Sequence, residues 1–410
     1  MNRNIETEVN TLIERHVEGY SLEQKFYCDP DIFSIDVERA ISPLWQLVDH
    51  VSRIPNPGDY FLCEIARESV IVARGKDREI HAFFNVCRHR GSRVCTKKAG
   101  NTTMLVCPYH AWTYNLDGSL KSAPLMHEDF DKRRHGLHTC HIRIFEGLIF
   151  LCMSRAGEAP DFEDFIGPLR PLLEIHDLGS AKIVHRGDYA TEGNWKLVVE
   201  NFFECYHCLS AHPEYCAVHP KEFVLAIADD YAAYQTQLDA FNVRGRALGH
   251  PTGIVEGDQY SLHFARGRRY PIREGFLTET EDGRPAAPLM GKLKEWDGGT
   301  TGAMFSPFAT LLAMNDFVTI FRFIPRDELY TDVELIWLVR DDAEEGKDYD
   351  VKRMTWMWDR TVLQDKWIIE NNQAGILSRA YRPGPYSRAE KNANRFVQWY
   401  LHRLREEGKG

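Results

Sequence analysis

Two short runs decide how this 410-residue chain is read: Cys87-Arg88-His89-Arg90-Gly91 and Cys107-Pro108-Tyr109-His110-Ala111-Trp112. Each run offers one thiol and one imidazole, and seventeen residues separate His89 from Cys107. Four metal-ligating side chains in two tight pairs argue against a chance mixture of buried thiols and surface histidines. The runs lie in a stretch of β texture. Residues 60–65, 69–73 and 80–86 are short, aromatic and β-branched. Turn signals such as Asn56-Pro57-Gly58-Asp59 and Gly75-Lys76-Asp77 separate them. The pattern continues through a hairpin turn at Asn115-Leu116-Asp117-Gly118-Ser119 as far as residue 151. Residues 45–155 are expected to form one small antiparallel β domain.

Two Cys and two His form the ligand set of a Rieske [2Fe–2S] centre, where two thiolates hold one iron and two imidazoles the other. Neutral imidazoles remove negative charge and raise the potential relative to a four-Cys cluster. A structural zinc site uses the same ligand types. Its usual order places both Cys before both His, which is not the order here.

A second constellation lies downstream. Residues 194–207 read as a helix, and His212-Pro213 follows. On that helix Glu204 and His207 would share a face. His207 and His212 would diverge by roughly 140°, at ~100° per residue. Pro213 resolves this, because it disfavours the α conformation at His212 and lets the chain turn back. Two histidines need one carboxylate to complete the facial triad of a non-haem Fe(II) site with open positions. Cys205-Tyr206-His207-Cys208 also holds a Cys-x2-Cys, read as thiols packing beside the iron helix, with zinc as the alternative.

The remaining organisation is simpler. Helices are expected over 4–18 and near 30–44, and a linker with a helix over 160–180. Long strands are expected over 311–323 and 332–340, and a mobile loop over 278–302. A capping box, Ser387 to Glu390, leads into a helix with Phe396, Trp399, Tyr400 and Leu404 on one side.

Composition excludes several classes. Lys and Arg total 50 against 60 Asp and Glu, a formal charge of −10, which argues against a general nucleic-acid binder. A hydrophobic content of 43% excludes a mostly disordered chain. No apolar run reaches ~18 residues, so no spanning helix is expected. The polar start, Met1-Asn2-Arg3-Asn4-Ile5-Glu6, lacks the apolar region of a signal peptide. A cytoplasmic protein is expected, in which ten cysteines serve as buried thiols and metal ligands rather than disulfides. The basic cluster Arg88, Arg90, Arg93, Lys97 and Lys98 is either a solvated loop face or a docking patch for an acidic partner.

Cys-x-His-Arg-Gly with Cys-x2-His-x-Trp resembles the Rieske domain of the Rieske non-haem iron oxygenases, the ring-hydroxylating alpha-subunit family. That resemblance extends over nearly the whole chain. It implies an α+β fold with a Rieske β domain at 45–155 and a helix-grip catalytic domain with an antiparallel sheet at 156–410. Helices over 1–44 would pack on the catalytic domain. It implies Cys87, His89, Cys107 and His110 as cluster ligands, and His207 and His212 as ligands of a mononuclear Fe(II). The family's downstream helix resembles Gln364-Asp365-Lys366-Trp367-Ile368-Ile369-Glu370-Asn371-Asn372-Gln373-Ala374-Gly375, which makes Asp365 the third ligand and Glu370 the fallback. Glu204 would bridge His207 to His110 or His89 of a neighbouring subunit, where most ring-hydroxylating members carry Asp. Asn201 would stand near the iron, or would be a helix-surface amide.

The same resemblance implies a homotrimer, with electrons crossing between subunits, and a separate NAD(P)H-dependent flavin/iron–sulfur reductase. The run Glu204-Cys-Tyr-His-Cys, His212-Pro213-Glu214-Tyr215 and the tail from Ser378 to Ser387 look like the branch acting on quaternary ammonium compounds. The expected reaction is N-demethylation of a betaine-like substrate with release of formaldehyde. Hydroxylation or O-demethylation of an aromatic acid is the alternative. Phe202, Phe203 and Tyr206 lie nearest the iron helix, as cage candidates for a cation or as ordinary packing.

Overall fold

The computed structural model describes residues 3–154, 159–219, 231–258 and 260–405. Strand Gln46–His50 pairs antiparallel with Leu148–Cys152, which pairs with His141–Phe145. A four-stranded sheet follows the order Ile80–Phe84, Glu68–Arg74, Asp59–Ile65, Ala99–Asn101. Three very short strands, Leu105–Val106, Thr113–Tyr114 and Leu120–Ser122, carry the second Cys-His run between them.

The larger half is built on a seven-stranded antiparallel sheet. Its order is Ala181–Thr191, Thr331–Arg340, Val318–Pro325, Ala309–Ala313, Gly299–Ser306, Arg266–Pro271 and Ile254–Glu256. Alternate side chains of the central strands enter two different cores. Leu335, Trp337 and Val339 join the core beneath the helices, while Ile336 and Leu338 join the core facing Leu47, Leu148 and Phe150. Burial on both faces explains near-continuous apolar runs in place of the alternation of a one-sided sheet. It also explains why 311–323 reads as one strand. The chain reverses there, with Met314 N–H donating to Phe317 O at 3.0 Å, and two strands result. The turn residues, Asn315 and Asp316, are conspicuous turn formers.

Two other expectations are corrected. Residues 278–302 do not form a free loop: Thr278, Glu279 and Thr280 are buried. Asp316 accepts from the Thr278 hydroxyl at 2.6 Å and from Ala286 N–H at 2.8 Å, pinning the segment to the hairpin. Residues 160–180 are core rather than linker, since Phe162, Phe165, Ile166 and Leu169 are buried beside Phe150 and Phe305.

The helix Val351–Ile376 starts on Asp350, whose carboxylate accepts from Lys352 N–H and Arg353 N–H. It packs along the edge strand Ala181–Thr191 and beside helix Trp195–Phe202. Gln373 Oε1 accepts from Asn194 N–H at 2.8 Å, tying the start of the shorter helix to the longer one. The C-terminal helix Lys391–Arg405 follows the expected capping box, and its Phe396, Trp399, Tyr400 and Leu404 are buried. Among the described residues no helix is long and apolar enough to cross a membrane.

Candidate active site

The two Cys-His runs fold into the same loop twice. In the first, Cys87 N–H donates to Ser92 O at 2.8 Å and Gly91 N–H to Cys87 O at 3.0 Å. In the second, Cys107 N–H donates to Trp112 O at 2.9 Å and Ala111 N–H to Cys107 O at 3.1 Å. The fourth residue after each Cys is left-handed, with φ of 76° at Gly91 and 57° at Ala111. Glycine suits that conformation, whereas an alanine there is strained. The loops bring their donors together. Both thiols are buried, and His89 Nδ1 lies 3.1 Å from His110 Nδ1 at the exposed tip. Trp112 stacks beneath His89 at 4.9 Å between ring centroids.

Two inward sulfurs and two converging Nδ1 atoms fit a [2Fe–2S] cluster with one all-Cys and one all-His iron. The Tyr114 hydroxyl, 3.2 Å from Cys87 Sγ, also accepts from Arg88 N–H at 3.0 Å. With that N–H as donor, its own proton is directed to the sulfur. Burial pushes the Cys87 thiol up, so a thiolate there requires a cation beside it. Tyr114 carried no signal in the sequence; it is a strand residue made relevant by where its hydroxyl ends.

The second constellation also converges, by a different local route from the one expected. The helix Trp195–Phe202 stops before Glu204. Glu204 turns its carboxylate onto Tyr206 N–H, His207 N–H and His207 Nδ1. The Glu204–His207 pairing is therefore a turn closed by a side chain, not a shared helical face. His212 adopts φ −122° and ψ 73°, outside the α region, and Pro213 opens the next helix, Pro213–Val218. This break lets the two rings meet, with centroids 4.9 Å apart.

Asp365 reaches across from the long helix. Its Oδ1 is 2.9 Å from His212 Nε2 and 3.3 Å from His207 Nε2. Glu370 lies elsewhere, held by Lys366 and accepting from Glu192 N–H at 3.1 Å. Each histidine is oriented through its other nitrogen: Glu204 holds His207 Nδ1, and Gln364 Oε1 accepts from His212 Nδ1 at 2.7 Å. Glu214 in turn accepts from Gln364 Nε2 at 3.1 Å. Such partners fix the tautomer and present Nε2 to a metal. Burial opposes a charge on His207, but Asp365 and Glu204 outweigh it and hold its pKa up at about 9. Burial also works against the Asp365 carboxylate, and the two imidazoles more than offset it, so its pKa is lowered. His207 and Asp365 each gain from positive charge at this point, and two imidazoles with one carboxylate fit a divalent iron. Asn201 Nδ2 is 3.5 Å from His207 Nε2. Cys205 and Cys208 stand as a disulfide around His207 rather than as the packing thiols expected.

A cavity of about 300 Å³ opens beside these donors. Tyr215, Trp358 and Tyr270 line it, each from a different element, and Arg266 and Arg268 lie on its wall. Behind the aromatic wall sits buried Glu279. It accepts from Trp358 Nε1 at 2.9 Å, and His219 Nε2 is 3.3 Å from its carboxylate. Of the aromatic candidates near the iron helix, Phe202 and Phe203 also line the cavity, while packing on Phe321 and Phe323 and on Phe264 and Phe396 respectively. Tyr206 points to solvent.

An exposed two-histidine cluster tip and a two-histidine, one-carboxylate centre on one chain are the parts of a Rieske oxygenase. Comparison with known proteins agrees. Residues 44–145 match the Rieske [2Fe-2S] domain, and residues 178–406 match the ring hydroxylating alpha subunit catalytic domain. The chain belongs to the ring-hydroxylating alpha-subunit family of Rieske oxygenases, oxidoreductases that carry a [2Fe–2S] cluster and a mononuclear iron. It is 36% identical over 398 residues to the glycine betaine monooxygenase oxygenase subunit of Pseudomonas aeruginosa, covering 94% of this chain and 89% of the relative. It is 38% identical over 391 residues to the subunit of the same name from Chromohalobacter salexigens, covering 93% and 85%. The quaternary ammonium Rieske monooxygenase CntA superposes with a TM-score of 0.71 at 22% identity, over 96% of this chain and 98% of that one, a likeness of fold.

Proposed function

We propose that this chain is the oxygenase component of a monooxygenase that removes an N-methyl group from a betaine-like quaternary amine. The observation that carries the reading is the aromatic wall of Tyr215, Trp358 and Tyr270, backed by buried Glu279, beside the iron ligands. A quaternary ammonium cannot donate a hydrogen bond. It is held by ring faces, at ~0.5–2 kcal/mol per good contact, and a carboxylate behind the indole N–H adds favourable field. The names of the relatives support the same class.

In this reading Cys87, His89, Cys107 and His110 hold the cluster, and His207, His212 and Asp365 hold the iron. Bound together, these groups supply activation of O2 with electrons delivered from outside. The chain's own residues bind the ammonium, turn one methyl toward the His207–Asp365 face and exclude bulk water. Asn201 is placed to hold solvent or O2 next to His207. Insertion of one oxygen atom into a methyl C–H gives an N-hydroxymethyl cation. This loses a proton and collapses to formaldehyde and the tertiary amine. The second oxygen atom leaves as water, taking two electrons and two protons.

Glu204 and the exposed Rieske tip support a ring of three copies. Glu204 orients His207 while its side chain keeps some exposure, leaving an edge for His110 or His89 of a second copy. Val106, Tyr109 and Leu125 are exposed in the Rieske unit, and Tyr206, Leu363 and Trp367 are exposed in the catalytic unit, so each unit offers apolar side chains to a neighbouring copy. A head-to-tail contact between unlike surfaces gives a ring when its rotation closes. We take 45–155 as the Rieske unit and 156–410 as the catalytic unit. The N-terminal helices of residues 3–44 pack on the latter, as supported by Tyr27 donating to Glu200 at 2.8 Å. The electron source is a separate NAD(P)H-dependent flavin/iron–sulfur reductase, and the oxygenase itself works in the cytoplasm.

The test is formaldehyde release by the reduced holoenzyme given O2, across a panel of betaines and a panel of aromatic acids. Formaldehyde is expected from a betaine. Oxidation of aromatic acids alone would overturn the substrate class. Light scattering is expected to give three times the 47.4 kDa chain mass.

A further inference from the structure

The cavity beside the iron ligands has a second chemical end, opposite in character to the aromatic wall. In strand Arg266–Pro271 alternate residues share a face, and Arg266, Arg268 and Tyr270 all line the cavity. Arg269 points the other way and is neutralised by buried Asp297, at 2.7 Å. The strand therefore places two guanidiniums and an aromatic ring in a row along the cavity. Gly302 stands opposite Arg268 in the neighbouring strand and also lines the cavity, and a side chain there would meet Leu312 and Tyr270 at 3.5 Å.

Arg266 has an unusual environment. Its guanidinium lies over Phe203 and Phe264, 5.3 and 5.5 Å from the ring centroids. Its one hydrogen-bond partner among the described residues is the neutral Oδ1 of Asn392, at 2.9 Å. Among the described residues no carboxylate lies within ion-pair distance of it. Glu256 faces it across the strand pair and supplies only a more distant attraction. Burial, followed by the charges of Arg395 and Arg268, pulls the Arg266 pKa down to about 10. A guanidinium held against its preference for water, between like charges and facing a cavity, gains strongly from an entering anion. The Arg268 guanidinium lies 4.7 Å from the Tyr270 ring centroid, between Arg266 and the aromatic wall.

We propose that Arg266 and Arg268 form a carboxylate-binding subsite that selects zwitterionic trimethylammonio-carboxylates over quaternary amines lacking the acid. The proposal rests on the functional reading above and names the specificity element within that site. The aromatic wall accepts any trimethylammonium group. The arginines make only the ligand with a carboxylate at its far end complete. Both are specificity residues and take no part in the chemistry.

The test uses the holoenzyme and three probes: trimethylammonioacetate, the corresponding alcohol choline, and tetramethylammonium. Affinities are measured by calorimetry, and formaldehyde yield by single turnover of the reduced enzyme with O2. Wild type is expected to bind trimethylammonioacetate at least tenfold tighter than the other two. Arg266→Gln, which can still bond Asn392, should lose that tenfold preference and leave tetramethylammonium affinity unchanged. Arg268→Gln should act in the same direction, and Arg266→Lys should recover part of the preference. A variant that binds trimethylammonioacetate normally, or that weakens all three probes equally, overturns the subsite while the demethylase reading stands. A wild type that releases no formaldehyde from any of the three overturns that reading, and the subsite with it.

Discussion

Gln364 Oε1 accepts from Nδ1 of His212 at 2.7 Å, while Oδ1 of Asp365, the next residue in the chain, lies 2.9 Å from Nε2 of the same ring. One turn of the long helix thus supplies both the neighbour that sets the tautomer of His212 and the carboxylate that meets its metal-facing nitrogen. We expect Gln364→Ala to weaken iron binding by about 10- to 100-fold, the usual cost of losing such a partner. The cluster absorbance should be unchanged. Iron content against chelator concentration measures the effect, and unaltered retention would remove Gln364 from the site.

Asp365→Ala is expected to lose the mononuclear iron and all oxygenation while the Rieske spectrum remains. Glu370→Ala should keep both, because Glu370 is spent on Lys366 and the backbone of Glu192. Metal analysis of the two variants side by side decides the assignment; the opposite pattern would shift the third ligand by more than one helical turn.

Glu204→Gln keeps size and removes charge. Both metal centres should stay loaded and turnover should fall by orders of magnitude, since the residue both orients His207 and offers the link to a second copy. Rapid-mixing absorbance of cluster reoxidation under O2 reports the step directly. Near-normal reoxidation would reduce Glu204 to a residue that closes a turn.

Tyr114→Phe should preserve the cluster and lower its reduction potential. The hydroxyl next to Cys87 Sγ stabilises the extra negative charge of the reduced state, and hydrogen bonds to the sulfurs are one of the terms that set such potentials. A redox titration of the visible bands measures this, with wild type as reference. An unchanged potential would mean that the hydroxyl serves Arg88 N–H alone.

Glu200 gives a pH signature. It is half-buried and accepts from the hydroxyls of Tyr27 at 2.8 Å and Tyr386 at 2.6 Å. Burial pushes its pKa up from 4.5 to about 7, against the opposing effect of those hydroxyls and Lys196. A carboxyl whose pKa is raised by folding stabilises the fold fully below its unfolded value. That contribution is lost as the pH rises through about 7. The thermal midpoint should therefore fall between pH 5 and pH 8, and Glu200→Gln should flatten this part of the profile. An identical slope in the variant would assign the dependence to another group.

The sequence by itself determined the two sets of donors. Cys87 with His89, Cys107 with His110 and His207 with His212 each lie within a few residues of one another, and at that range spacing constrains geometry. It also determined the break at His212, because Pro213 acts on its immediate neighbour. Asp365 became legible only through the family pattern around it, since a lone acidic residue on a helix carries no local signal. Tertiary structure decided the rest. Tyr114, Gln364 and Glu279 matter because folding brings them to Cys87, His212 and Trp358, contacts spanning 27, 152 and 79 residues. The aromatic wall is drawn from three elements; Tyr215 falls within a run that the family pattern marks, whereas Tyr270 and Trp358 are not marked out within their own segments. The helix that reads through His207 ends at Phe202 because the Glu204 carboxylate takes backbone N–H groups that a continuing helix would have used. The apolar run at 311–323 divides into two strands at Asn315-Asp316, and burial of both sheet faces makes the flanking sequence apolar enough to read as one strand. Short-range covalent reach is written in the order of residues, whereas convergence of distant side chains is decided only when the sheet, the long helix and the Rieske strands pack together.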